Sequence, residues 1–386
     1  MSRHRAAPLV AALLVASLGA RPTVVDGQRA PRLPVIAGAM GMNLIVNVDG
    51  TVMSWGSPGG EATYLGDGTE NERKTPALIP GLTDIIDASV GPRHALVLKR
   101  DGTVLGWGRN DACELTVTDD RKRLAPIVMA GVLDAVQVAA GEDFSVAVLN
   151  DGTVRVWGSH DAGYFGNGPE PKHMDCEPKP TPVQGLTGVK KVVIGNQQMY
   201  ALKADGTVWA WGHNKDGELC DGTTETRTRP AQVQGLADVV DVAASDAPVF
   251  VRADGTVWVC GGNINGHLGP GVAKSVKQTT PRKMPGITNA VAAMSAGGSM
   301  VRLKDGTMLG WGSGMFGSLG DGFIDKVTPT PHPPIGLGPV LASWYASNSA
   351  FALKADGTIM AWGYYVGGEH EWALKPFPFY KVSLTP

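Results

Sequence analysis

The fold is decided by Ala204-Asp205-Gly206-Thr207-Val208-Trp209-Ala210-Trp211-Gly212. Asp-Gly between two apolar runs is a strong local signal for a β-hairpin, because the tight turn needs positive φ that glycine supplies without strain. The residues after it alternate and end in Trp-Gly, which predicts an inner strand. The stretch then recurs. Asp-Gly-Thr begins at Asp49, Asp101, Asp151, Asp205, Asp254, Asp305 and Asp356, with starts 52, 50, 54, 49, 51 and 51 residues apart. Six copies close on Trp55, Trp107, Trp157, Trp211, Trp311 and Trp362, whereas the fifth carries Cys260-Gly261 there. A period near fifty residues over a whole chain means stacked units, none of which buries a core alone.

The flanking segments supply the rest of each unit. An apolar strand a (Val136-Gln137-Val138-Ala139-Ala140-Gly141 is an example) is followed by strand b entering the turn and strand c leaving it. A polar loop then leads to a proline-bearing strand d such as Pro126-Ile127-Val128, read as ending in Gly plus an aliphatic residue, as at Gly131-Val132. Proline suits an edge strand, where a missing backbone donor costs nothing. Four-stranded antiparallel units with no helical period, repeated seven times, predict an all-β seven-bladed propeller, which leaves only short, protected edges. In strand c the positions between Thr, the variable bulky residue and Trp are small or modest, as closely packed sheets require.

Composition agrees. Gly at 52 and Pro at 27 among 386 residues, with 43% apolar residues, fit short strands and turns. A net charge of −2 without a long Lys/Arg run argues against nucleic acid. Arg3 and Arg5 followed by the apolar run from Ala6 to Leu18 have the layout of a secretory signal peptide, too short to span a bilayer. The expected organisation is therefore a signal peptide over 1–20, a linker over 21–33 and one propeller domain over 34–386. Its product is exported, without a membrane span, and monomeric. Removing Arg3 and Arg5 leaves 32 basic against 36 acidic residues, near −4. Cys113, Cys176, Cys220 and Cys260 allow three pairings, of which at most one disulfide is expected; Cys260 is read as a buried thiol.

The consensus Asp-Gly-x-Val-x-x-Trp-Gly, then x-Asn-x-x-Gly-x-Leu-Gly-x-Gly, then Pro-x-x-Val-x-Gly-Leu resembles the regulator of chromosome condensation repeat. Residues 213–222 and 314–322 show the loop well. The resemblance covers 34–386 and implies a seven-bladed propeller, here as a bacterial exported member. The chain departs from the pattern in three places. Only His94 matches the histidine many family repeats carry in strand b. The last loop lacks Leu-Gly-x-Gly, and the third unit has an insertion around Pro169 to Pro180. The family's exchange activity on the GTPase Ran is not expected of an exported chain without a basic tail.

No phosphate loop, nucleophile elbow or zinc-ligand spacing is present, so neither a catalytic residue, a metal nor a cofactor is expected. The seven turn aspartates are read as turn chemistry rather than a cation ring, the six tryptophans as core, and Glu369-His370-Glu371 as a solvated loop. Residues after Trp-Gly differ between units, and Arg109, His160, His213, Asn263, Phe316, Tyr364 and Tyr365 are the binding candidates. The expected function is a non-catalytic protein-interaction or scaffolding module, for instance a binder or inhibitor of another exported protein. The alternatives are a glycan or surface-polymer binder with similar pockets between blades, and an enzyme with acids converging at the channel mouth. For ring closure, two routes stay open: blade seven packing on blade one, or both chain ends pairing within one blade.

Overall fold

The computed structural model describes residues 33–39, 41–56, 64–159, 163, 165–168, 176–346, 349–364 and 373–385. Seven four-stranded antiparallel sheets follow one another along the chain, each with its strands in sequence order. Blade 1 comprises Val35–Ala39, Met42–Val46, Val52–Gly56 and Arg73–Leu78. The remaining blades span 85–128, 135–182, 189–232, 239–283, 290–332 and 342–381. The a–b and c–d connections share one rim, the loop face. The Asp-Gly turns and the d-to-a connections share the other, the turn face.

The turns form for the reason the sequence implies. Gly206 has φ of 80°, while Asp205 Oδ1 accepts the Thr207 N–H at 3.0 Å and its hydroxyl at 2.7 Å. The other six turn aspartates likewise accept the N–H two residues on. Those bonds hold every one of these carboxyls below the usual range, Asp205 mainly through the Thr207 hydroxyl. The glycine of Trp-Gly answers a different need. At Gly108, φ is 117° and a Cβ would fall 2.5 Å from Arg93 O and 2.6 Å from His94 Cα.

Strand d differs from its expected bounds. It begins earlier, as in Arg123–Val128, and ends before the Gly-aliphatic pair. Gly131 forms a positive-φ turn and Val132 is buried beyond it. Strand d is the outermost strand of each sheet, paired on one side only, which is why its prolines are tolerated.

The core lies between blades rather than within them. Seven apolar clusters fill the seven interfaces, and six of them contain the strand-c tryptophan of the following blade. Each of these tryptophans is fully buried. The indole Nε1–H groups of four of them reach back to the preceding blade's loop. Trp107 donates to Tyr64 O at 2.7 Å, Trp157 to Glu114 O at 2.7 Å, Trp311 to His267 O at 2.9 Å and Trp362 to Ser318 O at 2.8 Å. The recurrent tryptophan is thus an inter-blade latch, apolar in body and hydrogen-bonded at the tip. Ring closure follows the first route: Trp55 of blade 1 packs on Phe351 and Phe379 of blade 7, and the described chain ends lie in adjacent blades.

The interface between blades 4 and 5 lacks the tryptophan. There Cys260 is disulfide-bonded to Cys220, with Cα atoms 5.8 Å apart, and Tyr200 Oη donates to Glu218 O at 2.9 Å. A second disulfide, Cys113–Cys176, ties the blade 2 loop to the residue preceding the outer strand of blade 3. Two disulfides therefore replace the single one expected, and Cys260 is not a thiol. Sequence spacing concealed the pairings because both cross a blade boundary.

Candidate functional site

The loop face carries two distinct chemistries. Over blades 5 to 7 it is apolar and aromatic. Ile264 is 71% exposed, Phe323 50%, and Met315 and Ile324 42% each. The Phe316 ring stacks on Tyr364 with centroids 5.4 Å apart and planes 18° from parallel. Phe316 adopts φ 57° and ψ 22°, the left-handed region that a bulky residue enters at a cost of about 1–2 kcal/mol. Its N–H is held by Asp325 Oδ1 at 3.2 Å, and Lys326 Nζ lies 3.8 Å from the Phe323 ring centre. The loop thus fixes Phe316 in a strained posture that presents its ring beside Tyr364.

The other candidates sit differently. Arg109 is half-buried, with Asp111 3.8 Å away. His213 Nδ1 lies 3.9 Å from Glu218 Oε1. Asn263 is 2% exposed and faces its own loop: Oδ1 accepts the Leu268 N–H at 2.8 Å and Nδ2 donates to Val272 O at 2.9 Å. Asn110 and Asn214 brace their loops in the same way. Asn263 is therefore a loop brace and takes no place on the solvent-facing surface. His160, Tyr365 and the Glu369-His370-Glu371 triplet lie outside the described residues.

The second chemistry is in the axial channel. A cavity of about 330 Å³ is lined by the middle and later residues of every strand a, so it lies toward the loop face. The polar lining was not anticipated. At one register position of strand a stand Asp87, Gln137, Lys191 and Asp241, paired across to Leu98, Val148, Leu202 and Val251 of strand b. In blade 6 the arrangement is inverted, Ala292 standing opposite Arg302. A register shift precedes this position in blades 2 to 6, and such bulges re-aim side chains. The available signal was a polar residue recurring inside an apolar run.

These side chains stitch blade to blade. Gln137 exchanges two hydrogen bonds with the Val192 backbone at 2.7 and 2.8 Å. Lys191 Nζ donates to Asp241 Oδ1 at 2.6 Å and to Val242 O at 2.9 Å, while Asp241 Oδ2 accepts the Ala293 N–H at 2.9 Å. Burial pushes the Asp87 carboxyl up to about 7, against the opposing pull of two backbone N–H groups and Lys191. Burial also pushes His94, whose Nε2 lies 2.7 Å from Ser145 Oγ, down to about 3, and Glu114 up to about 7. Among the described residues no cluster of three or more His, Cys, Asp or Glu could hold a metal ion.

A pH effect follows. Between the unfolded carboxyl value near 4 and the folded value near 7, folded Asp87 keeps a proton that the unfolded chain has lost. The stability this contributes is full below about pH 4 and lost as pH rises through 7. Asp87→Asn cannot lose it, so the variant should gain on the wild type by roughly 3 kcal/mol between pH 4 and pH 8. Urea unfolding at both pH values measures this, and a pH-independent difference would remove the buried-acid account.

Seven four-stranded blades with latching tryptophans and an axial channel define a β-propeller. Residues 51–371 match the RCC1-like domain, and the chain belongs to that family. The E3 ubiquitin-protein ligase HERC2 of Homo sapiens is 30% identical over 222 residues, covering 56% of this chain and 3% of that protein. The ultraviolet-B receptor UVR8 of Arabidopsis thaliana is 26% identical over 193 residues, 48% of this chain and 44% of that one. The chain thus spans well under two thirds of these curated relatives. Among solved structures, yeast RCC1 (Prp20) bound to Kap60 has a TM-score of 0.74 at 21% identity, covering 94% of this chain and 91% of that one. Another structure of Prp20p from Saccharomyces cerevisiae, described with its binding properties to Gsp1p and histones, has a TM-score of 0.72 at 19% identity over 89% and 86% of the two chains.

Proposed function

We propose that this chain is an exported, non-catalytic interaction module that binds a protein partner through the loop face of blades 5 to 7. The observation that carries the reading is the exposure of Ile264, Met315, Phe323 and Ile324 on the loops of blades 5 and 6, on the same rim as the stacked Phe316–Tyr364 pair. Exposed apolar groups of this kind mark contact surfaces, and aromatic residues dominate interface energetics. Family relatives that bind proteins support the same class of function. Export rests on the basic and apolar pattern of residues 3–20, and two disulfides suit an oxidising compartment.

The test compares affinity capture by the wild type and by the Met315→Asp, Phe323→Asp double variant from the secreted and envelope fractions of the source organism. Both positions are exposed, so folding stability should change by no more than about 1 kcal/mol in total. Capture of the dominant partner should fall at least about 10-fold. Undiminished capture would move the interface off this patch.

A further inference from the structure

We propose that the axial channel binds a small zwitterion, an amino-acid-like molecule whose carboxylate is held by Arg302 and whose amine is held by Asp87. Both residues line the same cavity, and among the described residues no side chain bonds either of them.

Arg302 is the more telling of the two. It is 6% exposed, and its Nε is buried with no hydrogen-bond partner among the described residues. The carboxylate whose attraction it feels is Asp241, but both Asp241 oxygens are engaged, one by Lys191 and one by the Ala293 N–H. A buried guanidinium without a carboxylate is costly. Blades 2, 4 and 7 carry leucine at this register position, in Leu98, Leu202 and Leu353. An apolar alternative is therefore compatible with the blade, and packing alone does not call for arginine. Ala292 opposite it leaves the room that lets the longer side chain reach the channel. A guanidinium also presents a fork that matches a carboxylate in two-point contact.

Above about pH 7, where it is ionised, Asp87 is the opposite charge that no side chain bonds among the described residues. It is 5% exposed and, among the described residues, is hydrogen-bonded only by backbone, the Ala88 N–H at 3.0 Å and the Val138 N–H at 3.4 Å. Carboxylates have more acceptor sites than these two donors fill. Lys191, which could have neutralised it, is spent on Asp241. Among the described residues the channel therefore holds the Lys191–Asp241 ion pair together with a guanidinium and a carboxyl that no side chain bonds, four blades apart along the chain. A free anion would match only the base and a free amine only the acid. One molecule bearing both groups satisfies both. A volume of about 330 Å³ is at the small end of ligand sites, which suits an amino-acid-sized guest.

The probes are an ω-amino acid series of increasing charge separation, namely glycine, β-alanine, γ-aminobutyrate and ε-aminocaproate. Acetate, inorganic phosphate and methylammonium serve as single-charge controls. Each is titrated calorimetrically into the purified chain at pH 8, where the Asp87 carboxyl is ionised and the amines are protonated. One spacing in the series should bind saturably, at least about 10-fold more tightly than acetate or methylammonium. Arg302→Leu places a residue that other blades carry at the same position, so it should fold, and it should abolish binding. Asp87→Asn should weaken the preferred amino acid about 10-fold while leaving acetate unchanged. Saturable binding that survives Arg302→Leu would overturn the proposal. So would phosphate or acetate binding as tightly as every amino acid, which would make the channel a plain anion site. No heat from any probe, in a chain that unfolds cooperatively, would leave Arg302 solvated by channel water and also overturn it.

Discussion

Trp311→Ala is expected to destabilise the propeller by about 4–5 kcal/mol, a large share of the 5–15 kcal/mol typical of a folded domain. Trp311 is fully buried in the cluster joining blades 5 and 6, among Val249, Val257, Leu268 and Ile287. A buried tryptophan removes 150–250 Å² from water, or about 4–6 kcal/mol of transfer free energy at 25 cal/mol per Å². Truncation also removes the bond from Nε1 to His267 O at 2.9 Å and leaves that carbonyl buried without its indole donor. Trp311→Phe separates the two contributions. It keeps most of the apolar body and drops the donor, so the expected loss is about 1–2 kcal/mol. Urea unfolding of both variants checks this. Equal losses would mean that the hydrogen bond dominates, and a loss under about 1 kcal/mol for alanine would mean that the latch is not structural.

Cys220→Ala is expected to cost about 4 kcal/mol under oxidising conditions and close to nothing beyond the wild type under reducing ones. The disulfide closes a sequence separation of 40 residues, for which loop-closure entropy gives about 4 kcal/mol. Its location adds to the effect. The interface between blades 4 and 5 carries Cys260 where the other six carry tryptophan, so that junction has the least apolar body to fall back on. Reduction should therefore loosen this interface before the others. Hydrogen exchange with and without reductant measures this: protection should fall first around 200–202 and 249–251. Uniform loss around the ring would contradict the assignment.

The turn and strand c were legible because Asp-Gly-Thr and Trp-Gly impose their own local physics. A positive φ, an aspartate capping the turn and a bulky residue on one face need no tertiary information. The number of blades followed from counting them. Strand d was misjudged at its ends because an edge strand is half-exposed on both faces: in Arg123–Val128 no residue is buried. No apolar alternation then marks its start, and its prolines resemble loop punctuation. Asn263 looked like a surface residue because loop asparagines are usually solvated, whereas here the side chain supplies the hydrogen bonds that its own loop backbone lacks. The channel residues Asp87, Gln137, Lys191 and Asp241 were hidden for the opposite reason. Each sits in a mostly apolar strand, and its partners lie on the next blade some fifty residues away. Arg302 was harder still, since it occupies a strand-b position that leucine fills in other blades.

The loop face and the turn face separate the central claim from its negation. A photo-crosslinking residue placed at Met315, and in a second protein at Thr207 of the turn face, would be activated in the secreted and envelope fractions. The interaction reading predicts one dominant protein adduct from position 315 and none from position 207. Adducts from position 207 alone, or equally from both, would contradict a partner held by the loop face of blades 5 to 7.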